Sequence, residues 1–295
     1  MIIYFDNGTN PFSKEFENSG YKIISPYNNG IKVKILRKLE KIYFLRKYLY
    51  NAKMIKPEPK ENIIIFDSNI TQGFLEWINT EYTNNRIIFW YWNPVESFTT
   101  TVPPNEIPEG IEKWSYSPED CQKYKLTYNT TFLFDSLVQN ENKVKCFTGK
   151  RKALFVGRDK GRLKELLHLK KILEKEKIEC EFHIIGNLQS NKYRYENPIA
   201  YEKVIEMIKQ ADILIDYYTD EMAGLSLRPM EAMFFRKKLI TNNCTISNYD
   251  FYNKRNIFIL NERKRSIGEF VRADYVEISR DVQNQYLLSN WIERF

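Results

Sequence analysis

AGLSLRPMEAMFFRKKLITNN, residues Ala223 to Asn243, is the stretch whose reading decides the fold. A small-residue turn leads to a helix with Pro229 at its first position, and the helix runs into a short apolar strand, Lys238 to Thr241. Proline there has a fixed φ suited to the start of a helix and lacks the N–H that would go unpaired. Just upstream, ADILIDYYTDE carries Ile213, Leu214 and Ile215, which read as a buried parallel strand ending at Asp216. Strand, loop, helix and strand make one turn of an α/β sheet. The amides around Gly224, Leu225 and Ser226 then lie at a helix N-terminus, where an anion is favoured. Glu231, expected in the same first turn, is placed to accept hydrogen bonds from sugar hydroxyls.

The same pattern extends outward on both sides. Downstream come a strand at Asn256 to Leu260 and a terminal helix over Ile278 to Phe295. Upstream, strands are expected at Ala153 to Gly157 and Glu181 to Gly186, with helices over Arg162 to Lys177 and Pro198 to Gln210. The polar, basic stretch NENKVKCFTGKR, Asn140 to Arg151, marks a boundary. Before it the alternation repeats: strands at Met1 to Phe5, Tyr21 to Ser25, IIIFDS, Ile87 to Trp92 and Lys113 to Tyr116, a helix over Thr71 to Thr83, and Thr130 to Phe134 closing this half. A further helix starts at Ser117, with Pro118 at its first position. Alternating strands and helices predict an α/β protein of two Rossmann-like, doubly wound parallel-sheet domains. The expected divisions are 1–148, 149–277 and a terminal helix over 278–295.

Ile31 to Tyr50 reads as a basic amphipathic helix, either a solvated face or a surface for anionic lipid headgroups. The net charge of +7 points to anionic partners without choosing among them. No apolar run approaches the roughly 20 residues that span a bilayer, and MIIYFDNGTNP goes straight into a strand. A cytoplasmic location follows as the expectation, with peripheral contact at the inner face of the plasma membrane through the basic helix. The four cysteines are scattered and histidines number two, which favours reduced thiols over structural zinc.

FVGRDKGR, Phe155 to Arg162, is the second chemical constellation. A strand ends at Gly157, and Arg158, Lys160 and Arg162 crowd the turn into the next helix. Loops at the carboxyl ends of strands are where ligands sit in open α/β sheets. Arginine offers phosphate a forked donor and lysine a point charge. Such cations would take up the charge developing on a diphosphate leaving group in place of a metal. Arg228 adds a cation beside the focal turn, for phosphate or for an acid such as Asp220. The chain contains no Asp-x-Asp, Walker A, Gly-x-Gly-x-x-Gly or Gly-x-Ser-x-Gly motif, so no metal or cofactor is expected. His168 and His183 lie within a helix and a strand, where structural roles are expected. Asp6 and Asp67 each follow a first-half strand and are the candidates for a base, or else loop-capping carboxylates.

GLSLRPMEAM followed by KKLIT resembles the donor-binding segment of GT-B glycosyltransferases of the group 1 branch, and Gly157 to Gly161 resembles that family's Gly-Arg…Lys-Gly turn. The resemblance implies two domains facing a cleft, nucleotide-sugar donor on the second, acceptor on the first, and a C-terminal tail crossing back to the first. It places the donor ribose on Glu231 and the diphosphate on Arg158, Lys160, Arg162 and the amides of Gly224, Leu225 and Ser226. The family's first glutamate falls on Ala223, and the nearest upstream glutamate is Glu221. The implied activity is metal-independent transfer of a sugar from a UDP- or GDP-linked donor to a glycan, lipid-linked or not, in lipopolysaccharide, capsule or related surface-polysaccharide assembly. Retention or inversion stays open, and nucleic acid is not among the implied partners. Two alternatives stand beside it: a GT-B nucleotide-sugar epimerase, and a non-catalytic basic binder of nucleic acid or anionic membrane.

Overall fold

The computed structural model describes residues 2–4, 12–28, 42, 45, 48–50, 60–68, 70–96, 102–138, 151–186, 193–219, 224–260 and 266–295. Most of the basic segment 31–50, with Asp6, Asp220 and Glu221, lies outside the described residues. The chain forms two compact units, Met1–Thr130 and Thr131–Phe295. Both are parallel α/β sheets of the Rossmann-like kind.

The first unit opens with β1 (Ile2–Tyr4), α1 (Ser13–Asn18), β2 (Lys22–Ile24), β3 (Ile63–Phe66), α2 (Gln72–Glu81) and β4 (Ile87–Tyr91). It closes with β5 (Ile111–Ser115), α3 (Pro118–Tyr124) and β6 (Thr127–Tyr128). The sheet order is β2-β1-β3-β4-β5-β6, every pair parallel. β3 (IIIF) and β4 (IIFWY) are buried at every residue, as their unbroken apolar runs demand of central strands covered on both faces. Alternate residues serve opposite layers. Ile63, Ile65, Phe89 and Tyr91 share a core with Phe74, Leu75 and Ile78 of α2, while Phe66 meets Phe16 of α1 edge-on at 5.6 Å. Thr71 caps α2 by accepting the Phe74 amide at 3.2 Å, and Ser117 caps α3 by accepting that of Asp120 at 3.2 Å.

The second unit runs α4 (Asp135–Val138), β7 (Lys152–Arg158), α5 (Leu163–Lys175), β8 (Glu179–Ile185), α6 (Tyr201–Gln210), β9 (Ile213–Asp216), α7 (Leu227–Phe234), β10 (Lys238–Thr241) and β11 (Ile257–Ile259). Three short helices complete it: α8 (Ile267–Arg272), α9 (Arg280–Asn284) and α10 (Leu288–Glu293). Its five parallel strands lie in the order β11-β10-β9-β7-β8. Ala153, Phe155, Ile213, Ile215 and Ile240 pack with Leu166, Leu169 and Leu173 of α5 and with Phe270 of α8. α6 and α7 contact β7, β9 and β10 outside that cluster, on the face served by the alternate residues. Lys238, which opens β10, is 4% exposed. Its ammonium lies 4.5 Å from the Phe270 ring and donates to the Phe270 carbonyl.

Thr130 to Phe134, which closes the first half, belongs to neither sheet. Leu133 makes a single bridge, to Leu287, with its amide on the Tyr286 carbonyl at 2.8 Å and its carbonyl accepting the Leu288 amide at 2.9 Å. The tail is not one helix but two, and α10 docks on this segment: Asp135 accepts the Ser289 amide at 3.0 Å and hydroxyl at 2.6 Å, and Trp291 meets Phe132 at 4.4 Å. Pro229 is the third residue of α7 rather than the first, because Ser226 takes the N-cap and accepts the Arg228 amide at 3.1 Å. No helix among the described residues is long and apolar enough to cross a membrane.

Candidate functional site

Counted in chain order within the second unit, the strands run 2-1-3-4-5. The order reverses between β7 and β9, and ligands of open α/β sheets bind outside the carboxyl ends of strands at such a switch point. The two stretches singled out from sequence leave the sheet there. FVGRDKGR ends β7, and Asp216 ends β9 ahead of the turn into α7.

The β7 loop is a tight turn. The Arg162 amide donates to the Asp159 carbonyl at 3.0 Å, and the two central residues, Lys160 and Gly161, have φ of 48° and 85°. Two consecutive positive φ values are the type I′ pattern. Glycine adopts this freely, whereas a lysine there costs about 1 kcal/mol. Arg162 folds back over the turn: its guanidinium donates to the Arg158 carbonyl at 2.9 and 3.2 Å and lies 5.1 Å from the Phe155 ring. Arg162 therefore staples the loop, while Arg158 and Lys160 stand exposed. Burial, then the charges of Arg162 and Arg158, lower the pKa of the Lys160 ammonium. The loop concentrates positive charge in a way an anion would relieve.

Across the switch point the α7 N-terminus is more occupied than its sequence suggests. The Ser226 amide donates to the Tyr218 hydroxyl at 2.7 Å, so it is not held open for a ligand. The Ser226 hydroxyl lies 3.1 Å from both oxygens of Asp216. Gly224 and Leu225 are buried in the same turn. Asp216 is 8% exposed. Burial pushes its pKa up to about 6, against the opposing pull of Arg228, Ser226, Tyr218 and Arg162. Asn242 fixes Tyr218 from β10's end, accepting its amide at 2.7 Å and donating to its carbonyl at 2.9 Å.

Glu231 differs most from its sequence reading. It falls in the second turn of α7, 2% exposed, and its carboxylate is used within the protein. The Tyr201 hydroxyl of α6 donates to it at 3.0 Å, and Arg228 pairs with it at 2.6 Å. Arg228 also donates to the Val156 carbonyl of β7 at 3.2 Å, which ties α7 to the strand that carries the β7 loop. Glu231 thus occupies the place of an internal counter-ion rather than of an open ribose acceptor. Arg228 pairs with it, and Asp220, the partner considered from sequence, lies outside the described residues.

Asp67 ends β3 of the first unit and is fully buried, accepting the amides of Trp92 and Asn93 at 3.1 and 3.4 Å. That geometry is a loop-capping one, and it does not present a lone pair to a substrate. Asp6 lies outside the described residues. The His183 ring is bracketed by Glu181, at 2.8 Å, and Glu196, and these two carboxylates outweigh burial to raise its pKa. His168 is exposed on α5. Of the two, only His183 has side-chain partners among the described residues, Glu181 and Glu196. Among the described residues no three His, Cys, Asp or Glu side chains are grouped to hold a metal ion.

Sequence reading missed Asp216, Tyr218, Tyr201, Asp159 and Tyr195 as members of the constellation. For Asp216 a signal existed, since a carboxylate ending an apolar strand must be buried or liganded. Tyr201 and Tyr195 join it only through long-range packing, whereas Asp159 and Tyr218 lie within or beside the stretches already singled out. Comparisons of the chain with protein-family models and with curated proteins returned no match.

Proposed function

We propose that the second unit binds a nucleoside diphosphate at the β7–β9 switch point, and that the chain is a GT-B-type glycosyltransferase using a nucleotide-sugar donor. The observation that carries this reading is the β7 loop: a strained, stapled turn at the carboxyl end of a strand beside the switch point, with Arg158 and Lys160 exposed on it. A diphosphate supplies the counter-charge. In the transfer step the bond between the sugar's anomeric carbon and the diphosphate oxygen breaks, and the oxygen keeps the electron pair. An acceptor hydroxyl forms the new bond, and its proton passes to the departing diphosphate oxygen. Arg158 and Lys160 stabilise the departing charge, and Arg162 keeps them in place. The acceptor, a surface-polysaccharide glycan or its lipid-linked form, belongs in this reading to the first unit. The resemblance around Gly224 to Thr241 supports the assignment, with Glu231 serving Arg228 instead of the ribose.

A thermal-shift panel of UDP, GDP and their sugar conjugates tests the proposal, since a ligand that binds only the folded state raises its stability. At least one member raises the melting temperature. Arg158→Ala and Lys160→Ala each weaken the apparent affinity about tenfold, the loss of one charged hydrogen bond of roughly 1.5 kcal/mol. Without ligand their melting temperatures stay within about 2 °C of wild type, as for exposed substitutions. A panel with no response, or variants that respond like wild type, overturns the reading.

A further inference from the structure

The segment from Tyr193 to Glu196 is fastened to the edge of the second sheet beside the β7 loop, and one of its side chains reaches that loop directly. Glu196 makes a parallel bridge to Ile185, its amide donating to the Ile184 carbonyl at 3.0 Å, and its carboxylate pairs with His183. The Tyr195 ring packs against Gly186, so closely that a Cβ on that glycine would come within 2.4 Å of it. Gly186 is needed there for close approach. From this seat the Tyr195 hydroxyl donates to Asp159 Oδ2 at 2.6 Å. Bonding to the carboxylate raises the pKa of the phenol, which keeps it a donor. The other oxygen of Asp159, Oδ1, is buried and has no hydrogen-bond partner among the described residues.

We propose that Tyr195 is a positioning residue for the anion-binding loop. Its hydroxyl latches Asp159, the first residue of the type I′ turn, and so fixes Lys160 in its left-handed conformation and presents Arg158 and Lys160 as a pre-formed pair. The loop's own bonds are short-range, Arg162 amide to Asp159 carbonyl and Arg162 guanidinium to Arg158 carbonyl, and the neighbouring strand β8 adds one backbone bond, Asp159 amide to the Ile185 carbonyl at 2.8 Å. Tyr195 alone brings a side chain from a distant segment to the turn among these contacts, 36 positions along the chain. Holding a strained loop in its bound shape before the ligand arrives removes an ordering cost from binding. The ligand half of this inference rests on the diphosphate reading above, and the latch itself does not.

Tyr195→Phe keeps the ring on Gly186 and deletes the donor. In the full-length chain, amide hydrogen exchange of the peptide carrying Arg158 to Arg162 then speeds up about five- to tenfold, the effect of losing one charge-assisted bond. Exchange in the β9 peptide and the ligand-free melting temperature stay unchanged. In thermal-shift titration with whichever nucleoside diphosphate binds wild type, affinity falls by about the same factor. Asp159→Asn still accepts the hydroxyl and keeps affinity within about twofold, whereas Asp159→Ala matches Tyr195→Phe, and the double variant is no worse than either single. Gly186→Ala, which pushes the ring away but keeps the hydroxyl, reproduces the loop exchange of Tyr195→Phe. Unchanged exchange and affinity in Tyr195→Phe overturn the latch. A wild-type chain that ignores every nucleoside diphosphate overturns the ligand half, while the exchange measurement still decides the latch.

Discussion

Arg228→Met destabilises the second unit by about 3–5 kcal/mol, the usual result of removing one partner from a buried ion pair. Glu231 is 2% exposed and Arg228 14% exposed, so the carboxylate left behind has little access to water. The Tyr201 hydroxyl alone cannot neutralise it. The Val156 carbonyl of β7 loses its donor as well, adding about 1 kcal/mol. In thermal melts the drop is roughly 10 °C at the size of this unit. Arg228→Met combined with Glu231→Gln recovers more than half of the loss, because glutamine carries no charge and still accepts from Tyr201. If the double variant is as unstable as the single, the buried charge is not the cause. This pair also bears on how site variants are read: lost nucleotide binding in an Arg228 variant reports a shifted β7–α7 junction before it reports a phosphate contact.

The sheets were legible because their strands are apolar runs of the right length. IIIF, IIFWY, ALFV, ILID and KLIT are central strands, buried on both faces, and such strands announce themselves. Helix starts were legible where the signals did not conflict, as at Thr71 and at Ser117 with Pro118. At the focal helix two signals competed. Pro229 suggested a start two residues late, and the structure resolves this in favour of Ser226, whose hydroxyl can cap while bonded to Asp216. The shift carries Glu231 out of the first turn and into the packed face of α7.

What stayed hidden was long-range. Thr130 to Phe134 has strand composition, but its partner is Leu287, and nothing in a local window shows that a single bridge forms instead of a ladder. Tyr201 with Glu231 and Tyr195 with Asp159 are pairs made by sheet order. The cations of the β7 loop alternate within one short stretch, so their nearness was legible, but their division of labour was not. Arg162 turns inward because Phe155 and the Arg158 carbonyl offer it a surface and an acceptor at close range.

Asp216→Asn separates that site's charge from its hydrogen bonding. Burial raises the Asp216 pKa from an ordinary 3.8 to about 6, so the folded chain binds a proton there more tightly than the unfolded chain does. The favourable contribution is therefore complete below pH 4, declines as pH rises, and is lost above pH 6. At pH 7 the ionised form costs roughly 3 kcal/mol relative to the neutral one. Asparagine keeps an acceptor for the Ser226 hydroxyl and carries no charge at any of these values. The variant is thus more stable than wild type by up to about 3 kcal/mol at pH 7 and equal to it near pH 4. Urea denaturation of both proteins at pH 4, 5, 6 and 7 measures the difference, and only its pH dependence matters, because other carboxylates titrate alike in the two chains. A constant difference would mean that Asp216 is not a buried acid held against its ionisation by the fold. A difference that grows through pH 5 to 6 establishes a carboxylate kept at the β7–β9 switch point at a cost in stability, and such a cost is retained where a site needs the charge.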